Sequence, residues 1–145
     1  MRKLLIFVSL LSFSILACKA GEGTKNSVTF KLNGSEVSLA ASEYEIKNDI
    51  IYFSTKALEK HFELEFKELF PGKQIGMCRD DLCIPVDVGE ADKMTAYKNG
   101  QDYYVPLVSL FNDLGDQANW NAEDFTLDVT IAVDEGGIQL NQIKK

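Results

Sequence analysis

Apolar residues in the second half of the chain change their spacing at one point, from the alternation of a strand to the period of a helix. Residues 103–106 read as a strand that runs straight into that helix. The positions at i, i+3, i+4 and i+7 that follow are Leu107, Leu110, Phe111 and Leu114. Pro106 fits the first helical position, where its missing N–H costs nothing, and Gly115 suits the left-handed residue after the helix. The pattern predicts a short helix that packs through one apolar face.

Strands are predicted on both sides of this helix. The Asn-Gly pair within residues 98–101 is typical of a hairpin turn that leads into the first strand. Beyond the helix, residues 118–121 and 125–131 alternate apolar and polar positions, as half-buried strands do, with a turn between them. The whole stretch is therefore expected to be a strand–helix–hairpin unit.

A similar order of residues occurs 52 positions earlier, where residues 52–58 align with residues 104–110. Ser54 or Thr55 would cap the N-terminus of a helix here. The apolar face of that helix comprises Ala57, Leu58 and Phe62. An alternating strand follows it, as in the second unit. The economical interpretation is two diverged strand–helix–hairpin repeats, the alternative being a chance match of one short window.

Two segments resemble a known family of envelope domains. Residues 28–37 resemble the opening strand and Asn-Gly hairpin of the stalk domain named after the N-terminal domain of copper amine oxidases. Residues 99–121, with their Tyr-Tyr-Val-Pro-Leu, Leu-Gly and Trp-Asn pairs, are similar to that domain's most recognisable stretch. The match covers most of residues 28–133 and departs at Val108, where many members carry Arg.

This resemblance implies an α+β fold, a twisted antiparallel β-sheet with two short helices. It also implies a non-catalytic stalk or binding unit, since bacteria usually carry such modules in envelope proteins. We expect no copper site despite the family's name, because a copper site of that kind needs several imidazoles and the chain has one His. That residue, His61, is expected at the surface near the end of the first helix, where it complements the helix dipole.

The N-terminus carries an export pattern. Arg2 and Lys3 precede a short apolar run, which is too short to span a bilayer, so residues 1–17 read as a signal peptide. The Ile-Leu-Ala-Cys ending at Cys18 resembles the lipobox of bacterial lipoproteins, which implies cleavage before Cys18 and lipid attachment to its thiol. An ordinary signal peptide with a chance Cys is the alternative. The lipobox implies a domain held to a membrane of the bacterial cell envelope, on its periplasmic or extracellular side.

The rest of the chain is small and acidic. Loss of residues 1–17 leaves 128 residues (145 − 17), with 13 basic (15 − 2) and 22 acidic residues and a net charge of −9. That charge disfavours nucleic acid as a partner. The polar stretch 18–27 reads as a flexible tether, residues 28–133 as one domain, and residues 134–145 as a tail.

Cys78 and Cys83 are predicted to face each other across a second hairpin. Residues 74–89 read as two strands, and a turn at Asp80 and Asp81 makes the two cysteines a non-hydrogen-bonded pair. Such pairs have Cα atoms about 4.5 Å apart, which a disulfide tolerates. If Cys18 carries lipid, these two are the remaining cysteines of an exported protein, and an oxidising compartment favours the bridge.

The bridge could have either of two roles. As a structural staple it closes a loop of only about six residues, which would stabilise the folded state by about 2 kcal/mol. As a redox pair it would exchange with thiols or trap a soft metal, because short cross-strand bridges tend to be reducible. Unpaired thiols are the third possibility.

No sequence motif for catalysis is present, and we expect no cofactor and no metal site. An aromatic group around the second repeat could contact an envelope protein or a glycan, although packing within the sheet is the simpler role. It comprises Tyr97, Tyr103, Tyr104 and Trp120. The sequence therefore predicts a lipid-anchored, non-catalytic binding or structural module, with a thiol–disulfide or soft-metal-handling protein as the alternative.

Overall fold

Eleven strands and two helices are formed by residues 27–132, the part of the chain that the computed structural model describes. The strands are β1 (Thr29–Leu32), β2 (Ser35–Val37), β3 (Tyr44–Lys47), β4 (Ile50–Ser54), β5 (Glu65–Phe70), β6 (Gln74–Arg79), β7 (Leu82–Asp87), β8 (Tyr97–Asn99), β9 (Asp102–Pro106), β10 (Gln117–Asn121) and β11 (Thr126–Thr130). The helices are α1 (Thr55–Phe62) and α2 (Leu107–Asp113). The expected α+β class with two short helices is confirmed.

The strands form three sheets instead of the one antiparallel sheet that the family resemblance implies. Their orders are β10-β11-β1-β2, β3-β4-β9-β8 and β5-β6-β7. All pairs of neighbouring strands are antiparallel except β1 and β11, which run parallel from Thr29 opposite Thr126 to Leu32 opposite Val129. A parallel pair is possible here because almost the whole domain separates the two strands and supplies the connection.

One hydrophobic core lies between the three sheets and the two helices, and aromatic rings fill its centre. The ring centroid of Phe62 in α1 lies 4.6 Å from that of Phe111 in α2. Phe53 in β4 lies 6.0 Å from Phe62, and Phe30 in β1 lies 5.9 Å from Phe53. Each of these rings is buried. The two helices and the strands of two sheets are therefore joined through direct aromatic contacts. These contacts stabilise the fold beyond what the burial of apolar surface contributes.

The first strand–helix junction forms as predicted, with Ser54 as its cap. Ser54 has extended backbone angles, and its side-chain oxygen accepts a hydrogen bond from the N–H of Ala57 at 3.2 Å. The predicted apolar face, which includes Leu58 and Phe62, is buried. Glu63 adopts a left-handed conformation and ends the helix, after which β5 begins.

The second junction differs from the prediction by one residue. Pro106 is the last residue of β9 and the cap of α2, so the helix begins at Leu107. The fixed ring of Pro106 suits this place because its φ of −65° is compatible with both strand end and helix start. Leu107, Leu110 and Phe111 are buried as predicted. Gly115 has a φ of 84°, which confirms the left-handed residue expected after the helix.

The predicted hairpins of the second unit are confirmed. In the β8–β9 hairpin Asn99 pairs with Asp102, and Gly100 takes a φ of 64° in the two-residue turn between them. Strands β10 and β11 pair antiparallel from Gln117 opposite Thr130 to Asn121 opposite Thr126. The expected signal peptide at residues 1–17, Cys18, nearly all of the tether and the tail lie outside the described residues.

Substitution of the α1 cap tests the local account of this junction. Ser54→Ala removes the acceptor for the Ala57 N–H, so we expect a loss of about 1 kcal/mol in the free energy of unfolding. Urea unfolding at neutral pH measures it. Ser54→Thr keeps a hydroxyl and should stay closer to the wild type. A Ser54→Ala variant as stable as the wild type would show that the cap contributes nothing.

Candidate functional site

The two cysteines meet across the β6–β7 hairpin in the predicted register. Cys78 lies opposite Cys83, and Arg79 lies opposite Leu82 at the turn. The sulfur atoms are 2.03 Å apart and the Cα atoms 4.0 Å apart, so the pair forms a disulfide. This confirms the pairing that the hairpin pattern predicted.

The two ends of the bridge differ in their surroundings. Cys78 is 2 % exposed, whereas Cys83 is exposed on β7, the edge strand of its sheet. A thiol could approach the bridge only from the Cys83 side of the hairpin. The position therefore permits slow thiol exchange and does not by itself separate a staple from a redox pair.

Arg79, next to Cys78, ties the hairpin to the rest of the core. Its Nη1 atom donates to the Asp116 carboxylate at 2.6 Å, and its guanidinium lies 5.9 Å from the centre of the Phe111 ring. The Asp116 side chain is 1 % exposed and also accepts a hydrogen bond from the Ala132 N–H at 2.9 Å. One buried carboxylate thus holds both the Cys hairpin and the segment that follows β11.

His61 lies below the surface, contrary to the prediction. Its side chain is 9 % exposed and its ring packs edge-on against Phe30, 6.2 Å away. Its Nε2 atom lies 3.2 Å from the Glu43 carboxylate, which also accepts hydrogen bonds from Lys60 at 2.6 Å and the Ala40 N–H at 2.8 Å. The helix end is folded over the loop before β3, so His61 takes part in a contact that its own helix pattern does not reveal.

The Glu43 carboxylate is kept charged in this place. Burial alone would raise its pKa, but the hydrogen bonds from Lys60, Ala40 and His61 outweigh burial and lower the pKa to about 2. These groups stabilise the fold rather than present a reactive acid. Within residues 27–132 no three His, Cys, Asp or Glu side chains are placed to hold a metal ion.

Three of the four aromatic candidates serve packing. Tyr97 stacks on Tyr104 at 5.5 Å and meets Tyr52 edge-on at 5.1 Å, forming a second small cluster on the outer face of the β3-β4-β9-β8 sheet. The Tyr97 hydroxyl donates to Glu45 at 2.6 Å, and burial together with this hydrogen bond raises its pKa. Tyr103 belongs to the main core.

Trp120 has a different environment, because it lines an open cleft of about 500 Å³. The cleft lies between the β3–β4 turn, the loop around residue 93, α2 and β10. Its lining includes Ile50, Met94, Val108, Asn112, Asn119 and Trp120. The indole N–H of Trp120 donates to the Asp49 carbonyl at 2.9 Å, which fixes the ring as one wall. The volume falls within the range of ligand-binding clefts in proteins, about 300–1,000 Å³.

Sequence reasoning did not identify this cleft, because four segments far apart in the chain contribute its walls. The sequence places Val108 in the family pattern and Trp120 in an aromatic group that could pack or bind, and neither pattern contains the β3–β4 turn. Trp120, the single Trp of the chain, is the one local signal.

Comparison with known protein families, with curated proteins and with solved structures finds no match. Among residues 27–132, neither helix is long and apolar enough to cross a bilayer.

The Glu43 cluster generates a test by pH. Because the pKa in the folded state lies below the unfolded value of 4.5, the stability from Glu43 is present above pH 4.5 and is lost as the pH falls toward 2. Glu43→Gln should lower the free energy of unfolding by about 1 kcal/mol at pH 7, because solvent screens the exposed Lys60 partner, and by much less near pH 2. Urea unfolding across this range measures the difference.

Glu59→Gln is the matched control, since Glu59 is an exposed carboxylate on α1. We expect its effect to be small at every pH. A Glu43→Gln penalty of the same size at pH 7 and near pH 2 would contradict the assigned role of the carboxylate.

Proposed function

We propose that the chain is a lipid-anchored protein of the bacterial cell envelope whose folded domain is a non-catalytic binding or stalk-like module. The observation that carries the proposal is the export pattern of residues 1–17 followed by Cys18, with its resemblance to a lipobox. Lipid on Cys18 would hold the protein to the bilayer durably, because several acyl chains at about 0.8 kcal/mol per buried methylene are anchoring where one is marginal. The Cys78–Cys83 disulfide fits an oxidising compartment outside the cytoplasm.

The cleft supports a binding role for the folded part. It is open, it combines apolar walls with the amides of Asn112 and Asn119, and its indole wall is held in place before any partner arrives. A preformed site of this kind binds without first ordering its side chains, which lowers the cost of association. An envelope protein or a glycan is the class of partner that we propose.

The register of the central sheet supports the proposed duplication. Glu45 pairs with Tyr52 in the β3–β4 hairpin, and Tyr97 pairs with Tyr104 in the β8–β9 hairpin. Each residue of the first pair lies 52 positions before its counterpart (97 − 45 and 104 − 52). Helices α1 and α2 also begin 52 positions apart (107 − 55). We propose that two diverged strand–helix–hairpin repeats form the domain.

A second candidate function rests on the exposed side of the disulfide. Because Cys83 is exposed on an edge strand, a partner's thiolate could reach the bridge, and the reduced pair could exchange electrons or bind a soft metal. The observation against this role is the Arg79–Asp116 contact beside Cys78, which ties the hairpin to the core and suits a structural staple.

Lipid attachment is tested by Cys18→Ser. We expect this variant to leave the membrane fraction and to lose incorporation of labelled fatty acid, because no thiol remains at the attachment position. The double variant Cys78→Ser/Cys83→Ser is the control and should stay in the membrane fraction. Unchanged membrane retention of Cys18→Ser would contradict the lipobox.

The reduction potential of the disulfide tests whether it is a structural staple or a redox pair. We expect the bridge to form spontaneously and to remain oxidised in glutathione buffers near about −200 mV, as structural disulfides do. Thiol titration of the native and the denatured protein measures the reduced fraction. Half-reduction at about −200 mV or above would favour the redox candidate.

A further inference from the structure

Strand β10 is a sheet edge that carries neither charge nor proline to prevent pairing. It ends the order β10-β11-β1-β2, and within residues 27–132 it pairs only with β11. Its sequence, Gln-Ala-Asn-Trp-Asn, contains no charged residue and no proline. An edge strand exposes a row of unpaired N–H and C=O groups that another extended chain can satisfy.

The other edge strands of the three described sheets are each protected by charge. Natural proteins use charged side chains, proline and bulges to prevent pairing at such edges. The charged residues include Glu36 in β2, Glu45 in β3, Glu65 in β5, Asp87 in β7 and Lys98 in β8. Proline also interrupts β7, at Pro85, and β5 contains a bulge between Glu68 and Phe70. Among the edge strands of these sheets, the lack of a charged side chain is therefore particular to β10.

The cleft opens on the edge of β10 rather than on one of its faces. Successive strand residues point to opposite faces, yet the adjacent residues Ala118, Asn119 and Trp120 all line the cleft. The opposite wall is α2, through Val108 and Asn112. A chain paired with β10 would therefore enter the cleft, which α2 bounds on another side.

We propose that β10 binds an extended, uncharged segment of a partner protein, which adds to the sheet as a further strand and places one apolar side chain in the cleft. This inference rests on the proposed binding function and names its partner chemistry. Main-chain hydrogen bonds to the edge would supply affinity, and the apolar wall of Ile50, Val108 and Trp120 would select the side chain. Strand β10 carries no charge, and the two charged residues that line the cleft, Asp49 and Lys93, have opposite signs, which matches a segment without net charge.

The structure favours a foreign segment over a second copy of this chain. Two copies paired through β10 would each have to fill the cleft of the other from the same surface. The large apolar side chains exposed among residues 27–132 are Leu69, Phe70, Leu82 and Met94, and none lies on β10. Of these, only Met94 lies at the cleft, where it already forms part of the wall, so a symmetric pair through β10 would bring no side chain of the paired strand into either cleft that is both large and apolar.

The chain contains its own probe, because Trp120 is the single Trp. We would titrate the purified full chain with a blocked hexapeptide that alternates threonine and leucine. Trp120 emission should shift to shorter wavelength, and the amides of Gln117–Asn121 should gain protection from hydrogen exchange. The same peptide with alternate amides N-methylated should bind roughly tenfold more weakly or not at all, because it cannot complete the main-chain hydrogen bonds.

Asn119→Lys places a charge on the edge at an exposed position and should weaken binding roughly tenfold. Thr130→Lys is the matched control, because Thr130 is exposed on β11, an inner strand, and its substitution should leave binding unchanged. Equal urea midpoints for both variants would show that folding is intact.

Each of the following results would overturn the proposal: peptide binding that N-methylation does not weaken, no change of Trp120 emission with the hexapeptide, or dimers that protect the same amides without peptide. Equal co-purification of an envelope protein with the wild type and with Asn119→Lys would also overturn the edge as the site. That last result would leave the binding function itself standing.

Discussion

The antiparallel pairing of β4 with β9 fixes the positions of most other elements. Phe53 lies directly opposite Val105, and both are fully buried. Each strand runs without a loop into its helix, so this single register determines where α1 and α2 start. Because the register is antiparallel, the two helices emerge from opposite ends of the pair and meet through Phe62 and Phe111. A slip of one residue would turn both rows of buried side chains to the other face.

The same register explains the second, smaller cluster. Tyr52 and Tyr104 flank the central pair and point to the face away from the main core, where Tyr97 stacks on Tyr104. The hydroxyl of Tyr52 donates to the carbonyl of Asp92 at 2.7 Å, so the loop before β8 covers this face. That loop then continues to Lys93, whose carbonyl accepts from Ser109 on α2 at 2.7 Å. The outer side of the central sheet and one rim of the cleft are thus built by one connection.

Local patterns predicted those parts of the fold that depend on neighbours in the chain. The strand-to-helix change at Pro106, the left-handed Gly115 and the opposition of Cys78 and Cys83 all follow from spacings of a few residues. The division into three sheets, the parallel pairing of β1 with β11 and the burial of His61 beside Glu43 do not, because each joins segments far apart in sequence. The cleft was missed for the same reason. Of its lining residues, only Trp120 belongs to a sequence pattern that indicates binding.

The proposed function draws on two surfaces at different places in the domain. The Cys78–Cys83 hairpin is tied to the core by Arg79 and Asp116, which suits a structural element in the exported protein that we propose. The edge of β10 is uncharged, open and next to a preformed cleft, which suits recognition of an extended chain. The most direct test is photo-crosslinking in intact cells, with a photoreactive amino acid at position 119 or, as the control, at position 130. We expect a membrane-associated partner protein to crosslink from position 119 and not from position 130, whereas equal crosslinking from both positions, or none from position 119, would contradict a binding module that uses this edge.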